Sequence, residues 1–302
     1  MGLLAALWGA SYLFIKVALD DGVAPVFIVF ARLALGALVL VPIAIGQQAL
    51  GALRGRWDAI LFMSLVQVVV PFLLITYGER HIPSSLAGIL VASAPIFTAL
   101  LAVRYDDDER PRGIAAAGVV MGIIGVVLLF GIDLRGDAAA LAGGLMVLLA
   151  SVGYAIGGLY LKHRLRGVPA VGIAASTLLA GTLVLAPAAL FALPSAVPST
   201  AATASLLVLG AGGTGIAFLI FYTLIAEIGP SRASLVTYLA PAFAVVYGVW
   251  LLSEPLTAGA VLGLLLILAG SWVAMEGRLP GQAKAAAAAP LGAGLESPRA
   301  PS

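Results

Sequence analysis

Of 302 residues, 62% are hydrophobic and 10% are charged, against about 45–50% and 25% in an ordinary soluble domain. With a mean hydropathy of +1.13, the chain carries more apolar surface than a soluble core of this length can bury, and a disordered chain is excluded as well. The formal charge of +2 is too small an excess to mark a nucleic-acid binder, and with no cysteine the chain has no disulfide, thiol nucleophile or Cys-ligated metal.

A helix crossing the hydrocarbon core needs about 20 apolar residues. Breaks at charges and at Pro/Gly clusters predict ten such helices, here spans 1 to 10: residues 2–19, 25–46, 57–78, 84–104, 113–131, 138–161, 169–193, 203–226, 231–252 and 256–276. The chain therefore reads as an all-α membrane protein. Span 1 carries Lys16 after its apolar run rather than before it, which fits a transmembrane helix better than a cleaved leader. Short loops leave no room for a soluble catalytic domain. Residues 277–302, rich in Ala, Gly and Pro, are expected to form a disordered cytoplasmic tail.

Basic residues set the orientation. One face would hold both termini with Arg54, Arg56, Arg104, Arg110, Arg112, Lys162, Arg164, Arg166, Arg232, Arg278, Lys284 and Arg299. The other would hold Lys16, Arg80 and Arg135, while Arg32 lies within span 2. This places both termini in the cytoplasm and the chain in a bacterial inner (plasma) membrane.

Self-comparison finds a repeat. Gly36, Leu38–Leu40 and Pro42 recur 145 residues later as Gly181, Leu183–Leu185 and Pro187, and Gly118, Gly125 and Glu109 match Gly263, Gly270 and Glu254. Ala94-Pro95-Ile96-Phe97 meets Ala240-Pro241-Ala242-Phe243 at an offset of 146. The two copies, 1–131 and 138–276, hold five spans each. An odd number inverts the second copy in the membrane, the arrangement of alternating-access carriers.

These residues also carry a family likeness. WGASYLFIK (Trp8–Lys16), Ala31-Arg32, GERHIPSSLAGILVASAPIFTALLA (Gly78–Ala102) and AEIGPSRASLVTYLAPAFAVVYGVWLLSEPLT (Ala226–Thr257) make residues 1–276 resemble a ten-helix, EamA-type member of the drug/metabolite transporter superfamily. The resemblance implies export or exchange of small metabolites through a cavity between the repeats. Two features depart from the pattern: the acidic run Asp106-Asp107-Asp108-Glu109, and Thr177 as the counterpart of Arg32.

Polar groups in hydrocarbon are costly unless satisfied, so their placement is informative. Residues three and four apart share a helix face. Trp8, Ser11, Tyr12 and Lys16 form such a stripe on span 1, and Ser234, Thr237, Tyr238 and Pro241 form one on span 9. Gln67, Tyr154, Thr214 and Tyr222 add polar atoms on spans 3, 6 and 8. These residues either line a substrate cavity or serve as anchors and packing. Pro95 and Pro241, at matching repeat positions, each free the carbonyl four residues back, Val91 and Thr237, and give either a conformational joint or a passive kink. Lys16 and Arg32 either hold a substrate carboxylate or phosphate, or pair with Asp20, Asp21 or Glu79. Glu109 and Glu254 either pair with basic loop residues and lock one state, or are solvated. No Asp or Glu lies clearly mid-span, so no buried proton-relay carboxylate is predicted, and His81, at the end of span 3, reads as a solvated loop histidine.

Gly210–Gly215 satisfies G-x-G-x-x-G, but it lies inside an apolar span rather than between a strand and a helix, and close packing explains it better than a dinucleotide. Gly118-x-x-x-Gly122 and Gly259-x-x-x-Gly263 fit helix contacts within a monomer or a dimer. With two histidines, no metal, cofactor or hydrolase centre is expected. The sequence thus predicts a monomeric or dimeric carrier of amino acids or related compounds, held in membrane lipid and without nucleic-acid partners. Outward transport is expected from the resemblance, with uptake, exchange or a channel as alternatives.

Overall fold

The computed structural model describes residues 1–105, 111–228, 233 and 235–276. Among them are nine apolar helices of 18 residues or more and a shorter one, Val236–Leu251, so all ten predicted spans contain helix. Span 6 extends to Arg164, beyond its expected end, and span 8 begins at Thr200. Both of these helices start at a side-chain cap: Asp137 accepts from the amides of Ala139 and Ala140, and Ser199 from that of Ala202. Such caps satisfy the free N–H groups of a first turn. Residues 277–302 lie outside the described part, as do Glu109 and Ser234.

Three spans are not regular α-helix. Span 4 is broken into Ser84–Val91 and Ala94–Tyr105, because Pro95 has no N–H to continue the ladder and its ring crowds the carbonyl one turn back. The carbonyls around the break are taken up by hydroxyls. Leu90 O accepts from Ser93 (2.6 Å) and from Ser151 of span 6 (3.3 Å), and Ala92 O accepts from Ser271 of span 10 (3.1 Å). Span 3 contains a π-helical stretch, Ser64–Val69, and span 8 another, Val208–Ile216. The glycine-rich motif of span 8 is therefore transmembrane helix. Pro241, by contrast, sits inside an unbroken helix, Val236–Leu251.

Helix pairing follows the repeat. Span 2 packs on span 7, span 4 on span 9 and span 5 on span 10, while span 1 lies against spans 8 and 9 as span 6 lies against spans 3 and 4. The matched glycines occupy matched places. A Cβ at Gly36 would meet Thr214 in the π stretch of span 8, and one at Gly181 would meet Ser64 and Val69 in that of span 3. Spans 5 and 10 touch backbone to backbone, since a Cβ at Gly270 would lie 2.5 Å from Gly122 N and one at Gly118 2.5 Å from Ala274 N. Gly259 likewise faces Asp133, just after span 5, and Gly263 faces Leu129 of span 5, so both G-x-x-x-G pairs make contacts within one chain.

Candidate functional site

Arg32 is the charged residue most deeply placed within a span, with 8% of its surface exposed. Its Nε donates to Thr214 Oγ1 at 2.9 Å, and its guanidinium carbon lies 3.8 Å from the centre of the Phe72 ring. The π stretch supplies the acceptor, because Thr214 Oγ1 donates in turn to Leu209 O five residues back. Among the described residues no carboxylate lies within ion-pair distance of Arg32. The pairing with Asp20, Asp21 or Glu79 that the sequence allowed is not formed by this residue.

Lys16 behaves differently. Its ammonium is 3.7 Å from Asp20 and donates to the backbone carbonyl of Glu79 at 3.1 Å. Asp21 takes no part in this pair and instead accepts from Ser199 N at 2.9 Å.

Tyr12 of span 1 and Tyr154 of span 6 complete a cluster with Arg32. The guanidinium lies close enough to both phenols and to Glu79 to act on them. Both tyrosines are half-buried, each with part of its surface left accessible. A cation held on an aromatic face, with two phenols beside it, can grip an anionic or amphipathic molecule from several sides.

The other candidates lie elsewhere. Trp8 packs its ring 5.1 Å from that of Phe221 and 6.4 Å from that of Phe218. Ser11 bonds its own backbone at Leu7 O and faces Gly213. Gln67 lies in the π stretch of span 3 against Gly157, its Oε1 buried without a hydrogen-bond partner. Tyr238 turns to span 10, donating to Ser271 O at 3.4 Å beside the Trp272 ring. Thr237 is exposed. Ser234 and the side chain of Tyr222 lie outside the described part.

At the Lys/Arg-poor face, where spans 1, 3 and 9 end, carboxylates sit on helix N-termini. Glu254, after span 9, accepts from Ser84 N at 2.7 Å and from Ser85 N at 2.9 Å, clamping the first turn of span 4. It caps a helix rather than pairing with a basic loop residue. Asp133, after span 5, accepts from Thr257, whose hydroxyl caps span 10. Such contacts join the two halves with charge-assisted bonds at positive helix ends.

Glu79 corrects the sequence reading. The residue follows span 3 directly and is completely buried, with neither carboxylate oxygen hydrogen-bonded. Burial holds its carboxyl well above the usual carboxylate range, and Lys16 pulls against that shift. Nothing in the local pattern marks it, because a charge at a span end normally reaches water. Its neighbour His81 is exposed, as expected.

The EamA-like transporter family matches residues 1–131 and 141–275. Bacillus subtilis YoaV, an uncharacterized transporter, is 28% identical over 268 residues, which cover 87% of this chain and 91% of YoaV. Escherichia coli YedA, an uncharacterized inner membrane transporter, is 26% identical over 255 residues, covering 83% and 81%. A crystal structure with 22% sequence identity aligns with a TM-score of 0.62 over 90% of this chain and 97% of its own, a likeness of fold. With a family match that spans nearly all of its helical residues, this ten-span chain belongs to the EamA-like transporter family.

Proposed function

We propose that the chain is a secondary carrier that moves amino acids or related small, polar or amphipathic metabolites across the inner membrane by alternating access. The observation that carries this reading is Arg32: an intramembrane cation without a carboxylate partner among the described residues, near two half-buried phenols. An unneutralised charge inside a span is expensive and marks a substrate pathway by default. The equivalence of the two halves in helix pairing and in their π stretches supports an inverted repeat that exchanges roles between two states. The Lys/Arg-poor face is taken as the outer one, with both termini cytoplasmic, and outward transport rests on the family resemblance. The substrate's carboxylate or phosphate binds at Arg32, with Tyr12 and Tyr154 beside it and Lys16 at the outer end.

Counterflow in proteoliposomes preloaded with pooled amino acids and metabolites tests the reading against protein-free vesicles. Selective, saturable exchange of one class is expected. Ionic conductance without counterflow would overturn the carrier in favour of a channel.

A further inference from the structure

Glu79 presents a physical problem that the carrier reading leaves unsolved. A carboxylate fully buried without hydrogen-bond donors pays its desolvation cost with no return. The surrounding charges do not supply the missing donors. Lys16 spends its contacts on the carboxylate of Asp20 and on the backbone of Glu79 rather than on its side chain. Arg32, on span 2, is engaged with Thr214 and Phe72. The other groups facing Glu79 oppose its ionisation or are neutral: Asp20 on span 1, Glu254 on the segment leading into span 10, and the phenol Tyr12 on span 1. On its own segment Arg80 and His81 point outward, where both are exposed.

The position of Glu79 ties this problem to closure. Five residues on lies Ser84, whose amide holds Glu254. The Glu254 cap thus sits on the turn that follows Glu79, near enough to the buried carboxyl for the two charges to repel.

We propose that Glu79 is a proton-binding site coupled to the opening of the Lys/Arg-poor face: its carboxyl carries a proton while that face is closed and gives it up when the face opens. On opening, Glu254 leaves the first turn of span 4 and water reaches Glu79. The O–H bond breaks, the proton passes to water, and the carboxylate that remains pairs with the Lys16 ammonium. Closing reverses each step. The ligand is the proton itself, and each cycle of this face binds and releases one. Because the closed state holds the proton more tightly, raising the pH favours opening. For one linked proton the open-to-closed ratio changes by up to tenfold per pH unit between the two proton affinities.

The test needs neither a substrate nor transport, so its failure and the failure of the carrier reading are distinguishable. The chain lacks cysteine, so Ser84→Cys places a single thiol beneath the Glu254 cap, at a residue 1% exposed. Maleimide labelling of this variant in lipid nanodiscs is followed against pH and normalised to Phe191→Cys, at a residue 93% exposed. The normalised rate should rise steeply with pH, and Glu79→Gln should flatten it at the slow, closed level. His81→Gln should leave the slope intact, which separates Glu79 from the histidine two residues away. Infrared difference spectra of the unmodified protein should show a protonated carboxyl at neutral pH, a check that does not depend on the variants folding. A rate independent of pH, an unchanged slope in Glu79→Gln, a slope lost in His81→Gln, or an ionised Glu79 at neutral pH would each overturn the proposal.

Discussion

Arg32 Nε lies 2.9 Å from Thr214 Oγ1, a contact between the second span of one half and the third span of the other. The counterpart contact runs from Ser64 Oγ to Thr177 O, also at 2.9 Å. Thr177 stands where the first half has Arg32, and both bonds reach a π stretch. The two halves thus keep the same contact with different chemistry. The contact is repeated, but the charge is not, so on the proposed reading the substrate is bound asymmetrically.

Replacing Arg32 with Gln should abolish transport while leaving expression intact, and unchanged kinetics would remove Arg32 from the site. Thr214→Val tests the acceptor separately. A hydrogen bond to a charged group contributes about 1.5–3 kcal/mol, so loss of that bond lets the guanidinium leave its position and should raise KM about tenfold or more. Thr214→Ser keeps the acceptor and should restore most of the affinity.

The clamp of Glu254 on Ser84 and Ser85 makes a second prediction. Glu254→Ala removes two charge-assisted bonds at a helix N-terminus, a loss of at least one factor of ten in favour of the open face. Labelling of Ser84→Cys at constant pH should quicken by that amount, with Glu254→Gln between the two. An unchanged rate would show that packing, not this carboxylate, holds the face shut.

Much of the fold can be read in the sequence because hydrocarbon enforces it. Ten apolar runs could do little but span, and the offset near 145 residues already implies the pairing of halves. The proline of span 4 announced its break, although the same residue in span 9 sits in continuous helix. The π stretches were not legible, since Ser64–Val69 and Val208–Ile216 have the composition of ordinary span. Helical spacing and intramembrane charge single out Tyr12, Arg32 and Tyr154 in the sequence, and the fold brings these three near one another. Glu79 was not legible, because the burial of a span-end residue depends on the segments that pack around it. Trp8 and Tyr238 share a face with the cavity candidates in sequence but meet aromatic neighbours on spans 8 and 10. A stripe alone does not say which of several neighbours it will meet.

Backbone contact between spans 5 and 10 gives a third prediction. Gly270→Val would place a Cβ against Gly122 N, where no flexible side chain can move aside. Overpacking of this kind costs about 1–3 kcal/mol, and a clash with backbone belongs at the upper end. Thermal unfolding in detergent should fall by several degrees. Gly131→Val, on span 5 with nothing within 4 Å of its would-be Cβ, should leave the transition where it is. An equal drop in both would implicate glycine content rather than the helix contact.

The three tyrosines separate binding from packing. Tyr12 and Tyr154 lie near Arg32 and keep part of their surface accessible, so on the proposed reading their hydroxyls meet the ligand. Tyr238 donates to Ser271 O, so its hydroxyl serves the contact between spans 9 and 10. Tyr→Phe at positions 12 and 154 should therefore weaken substrate affinity several-fold and leave thermal stability unchanged. At position 238 the same change removes an interhelical hydrogen bond, worth about 1 kcal/mol, lowering stability with KM unaffected. Counterflow kinetics and thermal melts on the three variants decide the matter. A stability loss at position 12 or 154 without a change in KM would move that residue from the cavity to the core.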